Sequence, residues 1–221
     1  MSVTRSAPES NAAIAQGKFD FVHGNSVFRP SNLAAGYQVI LRPRGEEVTG
    51  QIVTLADSTV TALAELEGKV VGFSSRTSFA GYAVPMDHLL REGITVIPEF
   101  GGNQEGIMGQ LKTGRVIAAG VHSGVMSEYA ARESVNYRVL WQSPPYHDQP
   151  VSVHPRVERQ VSGAVRQAFA DMSVDPEGMA VLEASAKVIK QPPPYGFQPA
   201  KPEDYQSYIE FYRRALVEEM R

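Results

Sequence analysis

The chain has 221 residues, of which 43% are hydrophobic and 20% charged, and its formal net charge is -3. This is an ordinary globular composition for one or two domains, and the charge gives no electrostatic argument for binding nucleic acid or an anionic membrane surface. The chain contains no cysteine, which excludes disulfides, thiolate metal sites and cysteine nucleophiles. No apolar run approaches the roughly 18 residues of a membrane span, and Met1–Ser10 lack the apolar core of a signal peptide.

The first part of the chain predicts short strands separated by turns. Asn11–Gln16 is typical of the last turns of a helix, which Gly17 ends. The strands predicted between clusters of turn residues are Phe19–His23, Tyr37–Arg42 and Gln51–Leu55. A helix is predicted over Ser58–Glu67, because Ser58 can cap it and apolar residues follow at helical spacing.

From residue 69 onward, strands and helices alternate. The predicted strands are Lys69–Phe73, Ile94–Glu99, Arg115–Val121 and Tyr137–Gln142, and the predicted helices between them are Phe79–Glu92, Gln104–Lys112 and Ser123–Arg132. Such alternation predicts a parallel sheet with right-handed crossovers. Ligands of such sheets bind at the carboxyl ends of the strands, next to helix N-termini.

The last third of the chain is mainly helical. After a Pro-rich stretch and Val151–His154, helices are predicted over Val157–Met172, Pro176–Lys187 and Pro202–Met220, and the tyrosines of the last one are expected in the core. Two segments, Ala56–Leu66 and Pro144–Val153, connect the alternating block to its flanks. This arrangement predicts two lobes with a cleft and a hinge: a first lobe of residues 1–57 and 152–221, and a second lobe of residues 58–151.

One stretch combines a strand end, small polar residues and a helix start. The predicted strand Val70–Phe73 leads through the polar turn Ser74–Ser78 to a helix that begins near Ser78 or Phe79. The N–H groups at a helix start have no partner within the helix and attract anions. The turn side chains add hydroxyl donors and one positive charge: Ser75, Arg76, Thr77 and Ser78. An ordinary helix N-cap is the alternative interpretation.

Several phrases of the sequence occur in the order and spacing of a known family. They are Gln16–Asp20, Leu66–Phe73, Gly81–Pro85, Gly101–Glu105 with the helix that follows, Val116–Val121, and Gly196–Phe197 leading to Glu203–Tyr205. Over about residues 11–215, the chain resembles the phosphate/phosphite/phosphonate-type substrate-binding proteins of ABC importers. The resemblance implies a bilobal α/β type II periplasmic-binding fold with parallel-rich sheets flanked by helices. It also implies a small-molecule ligand, a membrane subunit of an ABC importer as partner, a periplasmic location, and no catalysis or cofactor.

The chain departs from this family in two respects. The family opens with a strand, a helix and a second strand before the Gly-x-x-Asp phrase, which here begins at Gly17, so the first lobe is expected to be truncated. A second copy of the chain could cover the sheet edge that this leaves, which predicts a homodimer. If Met1 is the true start, the absence of a signal peptide predicts a cytoplasmic location instead.

The second departure concerns the ligand-binding phrase. Phosphonate-binding members of the family carry a Ser-Thr-Ser run that holds the oxyanion, whereas the corresponding residues here are Ser78, Phe79 and Ala80. Gln104 stands where the family has a histidine, and His122 where it has an acidic residue. The resemblance therefore implies an oxyanion or a related polar metabolite, but it does not carry phosphonate specificity to this chain.

We expect a non-enzymatic solute-binding protein whose ligand lies between the lobes. The expected ligand-binding residues are Asn25 and Ser26 from the first lobe, Ser75, Arg76, Thr77, Ser78, Tyr82, Gln104 and His122 from the second, and Tyr146 from the connection. For Tyr82 the alternative is packing of its helix on the sheet, and for Tyr146 a plain surface turn. The alternative function is that of a degenerate relative, acting as a sensor or interaction module without transport.

Two further site types are weaker alternatives. His23, His122 and His147 fall at strand ends or in the connection and could converge on a metal, but no pair shows a metal-ligand spacing. A hydrolase could use Ser74 or Ser78 with His122 and Asp20, although no nucleophile-elbow phrase supports it. We therefore predict neither a metal nor catalysis, and we expect His88 on the solvent side of its helix.

Overall fold

The computed structural model describes residues 6–45, 47–189 and 193–220. The chain divides into two compact units, Met1–Glu47 with Tyr146–Arg213, and Val48–Pro145 with Arg214–Arg221. It therefore passes between the units three times, whereas the sequence predicted two passages. Residues 48–57 and 214–221 fall in the second unit, although the sequence analysis assigned them to the first lobe. Within the described residues, no helix is long and apolar enough to cross a membrane.

The secondary structure follows the predicted order closely. The strands are β1 (Phe21–His23), β2 (Gln38–Pro43), β3 (Gly50–Leu55), β4 (Val70–Phe73), β5 (Ile97–Phe100), β6 (Ala118–His122), β7 (Tyr137–Gln142), β8 (Val151–Val153) and β9 (Phe197–Pro199). The α-helices are α1 (Ala7–Ala15), α2 (Pro30–Leu33), α3 (Val84–Arg91), α4 (Gln104–Lys112), α5 (Ser123–Glu133), α6 (Arg159–Asp171), α7 (Pro176–Ile189) and α8 (Gln206–Arg214). A π-helical turn, Phe79–Ala83, precedes α3, and short 3-10 segments lie at Asn25–Phe28, Leu63–Leu66, Pro202–Tyr205 and Glu218–Met220.

The first unit contains a four-stranded sheet in the order β1-β8-β2-β9, in which every described pairing is antiparallel. The expectation of parallel-rich sheets therefore fails for this unit. Its strands are not joined by successive helical crossovers, and β8 and β9 return from distant parts of the chain in the opposite direction. Its core contains several aromatic rings. The Phe28 ring stacks on the Tyr205 ring with centroids 5.2 Å apart, and it packs against the Tyr208 ring with centroids 5.3 Å apart.

The second unit contains a five-stranded mixed sheet in the order β5-β4-β6-β3-β7. Strand β4 runs parallel to both β5 and β6, as the alternating pattern predicted. Strand β3 lies between β6 and β7 and is antiparallel to both, so β7 does not pair with a parallel strand. Helix α4 packs on this sheet through Ile107, Met108 and Leu111, each at most 1% exposed. The carboxyl ends of β5, β4 and β6 consequently lie next to one another at one edge of the sheet.

The helix predicted over Ser58–Glu67 is wrong. Only Leu63–Leu66 forms a 3-10 turn, and Ala62 before it has an extended backbone. The Glu65 carboxylate accepts the backbone N–H groups of Thr61 at 2.6 Å and of Ala62 at 2.9 Å. These local bonds satisfy donors that a longer helix would need to pair, so the segment before the turn stays extended.

The single last helix predicted over Pro202–Met220 is also interrupted. Helix α8 ends at Arg214, and the Leu216 N–H bonds to the Asp87 carboxylate at 2.6 Å. The Arg91 guanidinium donates to the Arg214 carbonyl at 2.5 Å. These tertiary bonds occupy the Arg214 carbonyl and the Leu216 N–H, which a continuing helix would pair internally. The expected core role of the tyrosines is confirmed, since Tyr205, Tyr208 and Tyr212 are buried.

The solvent-side position predicted for His88 is wrong as well. Its imidazole is partly buried and stacks on the Trp141 ring, with centroids 4.1 Å apart and planes within 10°. Helix α3 thus contacts strand β7 through two flat rings. Helical spacing could not reveal this contact, because the partner ring lies more than fifty residues further along the chain.

Candidate functional site

The polar turn Ser74–Ser78 begins where β4 ends inside the second unit. Ser74 is 2% exposed. Ser78 caps the π-helical turn, and its hydroxyl oxygen accepts the N–H of Gly81 at 3.2 Å. The sequence predicted a helix start here, and the structure has one, with its first turn wound as a π-helix. The alternative interpretation, an ordinary cap formed by Ser78, is therefore part of the geometry.

Three polar side chains converge on Gly81. A Cβ atom added there would lie 2.1 Å from the Gln104 amide nitrogen, 2.8 Å from the Ser74 hydroxyl and 2.9 Å from the Ser78 hydroxyl. No side chain fits at this position without displacing that cluster. Gly81 thus lets the hydroxyls of the turn and the amide of α4 approach the backbone of the π-helical turn.

Gln104 connects the ends of three neighbouring strands. It is the first residue of α4, after β5, and its amide nitrogen lies 3.4 Å from the Ser74 hydroxyl and 3.5 Å from the Ser78 hydroxyl, both after β4. Its amide oxygen accepts the backbone N–H of His122, the last residue of β6, at 3.4 Å. Long, partly buried bonds of this kind position the residues of the site relative to one another.

His122 caps the next helix. The Val125 N–H donates to its Nδ1 at 3.4 Å, so Nδ1 acts as an acceptor and any ring proton of the neutral form sits on Nε2. Asn103 plays the same part for α4, where its side-chain oxygen accepts the Gly106 N–H at 2.7 Å. Three helix starts therefore face the same edge of the sheet, each capped by a side chain, which makes this edge suited to negative charge.

Arg76 has a partner that the sequence did not suggest. Its guanidinium forms an ion pair with the Glu219 carboxylate and lies 4.5 Å from the centre of the Phe100 ring. The Tyr82 hydroxyl donates to the other oxygen of the same carboxylate at 3.3 Å. Burial, with Glu219 as a smaller cause, raises the pKa of Tyr82 to about 12, so the hydroxyl stays a donor at neutral pH.

The other side chains predicted in the second unit differ in exposure. Tyr82 is 3% exposed, and its ring packs edge-to-face on the rings of Phe73 and Phe100, with centroids 5.3 Å apart in both pairs. The Tyr82 ring therefore takes part in packing its helix on the sheet. Thr77 is exposed and Ser75 partly so, and their hydroxyl oxygens are 3.2 Å apart. The turn thus presents its hydroxyls outward on one side and inward toward Gln104 on the other.

The candidates in the first unit form a separate group. Asn25 and Ser26 lie in a 3-10 turn and are partly buried, and the Ser26 carbonyl accepts from the Asn32 amide at 2.7 Å. Tyr146 is 9% exposed and packs edge-on against Tyr208 at 5.2 Å, so it is not the plain surface turn that was the alternative. Their ligand role stays a prediction.

The two weaker site types gain no support. Among the residues the structure describes, no group of three or more His, Asp or Glu side chains could hold a metal ion. Asp20, the third member of the hydrolase alternative, belongs to the first unit and pairs with Arg156 at 2.8 Å.

Sequence reasoning missed three residues of the candidate site: Gly81, Asn103 and Glu219. Gly81 stood in a quoted phrase without a role, although a glycine just inside a helix start signals close approach. Asn103, three residues before a glycine in the first turn of α4, carries the signal of an N-cap. Glu219 lies 143 positions from Arg76, and no local pattern could have linked the two.

One protein family matches most of the chain. Residues 1–205 match the family described as the phosphonate periplasmic substrate-binding protein of ABC transporters. A comparison with curated protein sequences gave no match.

Several solved structures have a similar fold. XAC2383 from Xanthomonas citri, bound to ATP, has 16% identity and a TM-score of 0.75, with 98% of this chain and 85% of that chain covered. PhnD1 from Prochlorococcus marinus, in complex with methylphosphonate, has 14% identity and a TM-score of 0.70, with coverages of 93% and 81%. The periplasmic aliphatic sulphonate binding protein SsuA from Escherichia coli has 15% identity and a TM-score of 0.61, with coverages of 98% and 80%. At these identities the likeness establishes the type II periplasmic-binding fold.

Proposed function

Because the chain belongs to the family of phosphonate-type periplasmic substrate-binding proteins of ABC transporters, we propose that it binds a small oxyanion at the turn Ser74–Ser78 of its second unit. One observation carries the proposal: the side chains of Ser74, Ser78 and Gln104 converge on Gly81, where three neighbouring strands end. This is the position at which open α/β sheets bind ligands.

The hydrogen-bonding pattern of the turn favours a ligand that only accepts. The Ser78 hydroxyl oxygen accepts from Gly81 and lies within bonding distance of the Gln104 amide nitrogen, so the capacity it has left is to donate its proton. The hydroxyls of Ser75 and Thr77 add donors beside it. A fully deprotonated oxyanion offers acceptors alone, and hydrogen bonds from neutral donors to an ionised oxygen are among the stronger ones.

The ligands of the structural relatives suggest which oxyanions to try. PhnD1 was solved with methylphosphonate, and SsuA is a binding protein for aliphatic sulphonates. We propose a compound of this kind, with a tetrahedral oxyanion on a small organic group, as the ligand of this chain. In keeping with the family, the proposed role is delivery to the membrane subunit of an ABC importer in the periplasm, without catalysis.

The first test is calorimetric titration and thermal melting of the native chain with methylphosphonate, methanesulfonate, inorganic phosphate and sulfate, with chloride as the reference salt. At least one oxyanion should bind and raise the melting temperature, because a ligand at a hundred times its Kd stabilises the folded state by about 2.7 kcal/mol. If every oxyanion behaves like chloride, the proposal is wrong and the interpretation as a sensor or interaction module takes its place.

Paired glycine variants locate the site. Gly81→Ala places a methyl group against Gln104 and should weaken oxyanion binding about tenfold or more. Gly109→Ala is the matched control, because its Cβ would lie 3.8 Å from the Tyr129 hydroxyl, an ordinary contact, in the interior of α4. If Gly81→Ala does not fold, Ser78→Ala, compared with the exposed Ser127→Ala, tests the same site. Unchanged binding in the folded Gly81 or Ser78 variant would place the ligand elsewhere.

A further inference from the structure

The positive charge of the anion-binding turn is already neutralised by the chain itself. Arg76 is the charged residue within Ser74–Ser78, and its guanidinium pairs with the Glu219 carboxylate. Two other groups hold this pair: the Phe100 ring lies under the guanidinium at 4.5 Å, and the Tyr82 hydroxyl donates to the carboxylate. The turn therefore offers a ligand hydroxyls and backbone N–H groups, with little net charge beside them.

Glu219 is held in place by the segment that carries it. Val217 and Met220, on either side, are 2% and 1% exposed within the second unit. The Leu216 N–H is bonded to the Asp87 carboxylate at 2.6 Å, and Asp87 in turn pairs with Arg91. Moving the carboxylate away from Arg76 would disturb these buried contacts. The carboxylate is thus held in position by its own segment, while the Arg76 side chain is 58% exposed.

The carboxylate is charged under ordinary conditions. Burial acts to raise the pKa of Glu219, but a hydrogen bond from its own backbone and the contacts with Arg76 and Tyr82 outweigh burial and lower that pKa. The negative charge beside the turn is therefore present at neutral pH, where the ligand would bind.

Resting on the proposed function above, we propose that Glu219 sets which ligand charge the site prefers. By neutralising Arg76, Glu219 makes the site prefer singly charged, sulfonate-type oxyanions over doubly charged, phosphonate-type ones. A second charge on the ligand loses hydration on binding and needs an opposite charge to compensate it. Neutral donors stabilise one negative charge, whereas a paired guanidinium contributes little to a second.

The test compares binding of methanesulfonate and methylphosphonate by calorimetry in mildly alkaline buffer, where the phosphonate is doubly charged. The native chain should bind the sulfonate more tightly. Glu219→Gln keeps the shape of the side chain but removes its charge, so it should shift the ratio of the two Kd values about tenfold toward the phosphonate. Arg76→Gln, which removes the guanidinium and keeps the carboxylate, should shift the ratio in the opposite direction, toward the sulfonate.

Glu218→Gln is the matched control, because Glu218 is the adjacent exposed carboxylate and the change in net charge is the same. It should leave the ratio unchanged. If the oxyanions bind but Glu219→Gln moves the ratio no more than Glu218→Gln does, this inference is overturned and the proposed function stands. If neither oxyanion binds to the native chain or to the Glu219 variant, both are overturned.

Discussion

At the scale of single residues, the site depends on groups that are small or neutral. Gly81 admits Gln104 because it has no side chain, and the Ser78 hydroxyl oxygen accepts the Gly81 N–H at the helix start. Phe79 and Ala80, which replace two hydroxyls of the phosphonate-binding pattern, are buried instead of facing the turn. The side chains at these two positions thus contribute to packing, while the backbone N–H groups of the helix start remain as donors.

His88 provides a test of the fold that is independent of any ligand. Burial against Trp141 lowers the pKa of His88 from its usual 6.5, although Glu92 and Asp87 act in the opposite direction. The unfolded chain therefore binds this proton more readily. The stability that the neutral ring contributes is complete above pH 6.5 and is lost as the pH falls through the lowered pKa.

His88→Phe keeps a flat ring on Trp141 but cannot be protonated. Denaturant unfolding at a series of pH values should therefore show a smaller loss of stability on acidification than the native chain shows. An identical pH dependence in both proteins would mean that His88 is as easily protonated in the folded chain as in the unfolded one.

At the scale of elements, α8 anchors the Pro-rich connection to the first unit. The Tyr208 hydroxyl donates to the His147 carbonyl at 2.7 Å, and the Tyr205 hydroxyl donates to the Asp148 carbonyl at 2.5 Å. Burial is the main cause that raises the pKa of both tyrosines, so they remain donors over the whole practical pH range. Two rings, one on α8 and one in the 3-10 segment before it, thus fix the backbone that follows Tyr146.

Tyr208→Phe should lower the free energy of unfolding by about 1–3 kcal/mol, because it leaves a carbonyl of the connection without its donor while the ring packing on Phe28 stays. Urea unfolding of the two proteins measures the difference. A change within a few tenths of a kcal/mol would mean that water replaces the hydroxyl at no cost and that the connection is not anchored there.

At the scale of the whole molecule, the third passage of the chain between the units joins its C-terminal part to the candidate site. Residues 214–220 pack within the second unit, and they bring Glu219 to Arg76. The last segment therefore packs with the turn Ser74–Ser78, although most of the helix before it belongs to the first unit.

Self-association stays a prediction at this scale. Several large apolar side chains of the first unit are exposed, among them Val174 at 80%, Val181 at 56% and Val188 at 81%. A homodimer should appear in light scattering as a mass near twice 24.1 kDa that falls on dilution. A monomer mass at every concentration would contradict the prediction.

The sequence alone determined much of the local structure. It predicted α4 and β7 with the bounds that the structure has, because Gly114 closes α4 and turn residues bound β7. It also placed Ser78 and Gln104 at helix starts and His122 at a strand end, and the structure links these residues by hydrogen bonds. Short-range signals suffice for such features, since each depends on residues a few positions apart.

Only the tertiary structure decided which groups meet. The break after α8, the stacking of His88 on Trp141 and the pairing of Arg76 with Glu219 all join residues far apart in the chain. Helical spacing predicted one long last helix. Instead, the Leu216 N–H, which a continuous helix would pair internally, donates to the buried Asp87 carboxylate. The five residues of the turn Ser74–Ser78 predict a positive charge, but in the fold the Glu219 carboxylate pairs with Arg76. The buried neighbours Val217 and Met220 hold that carboxylate in place.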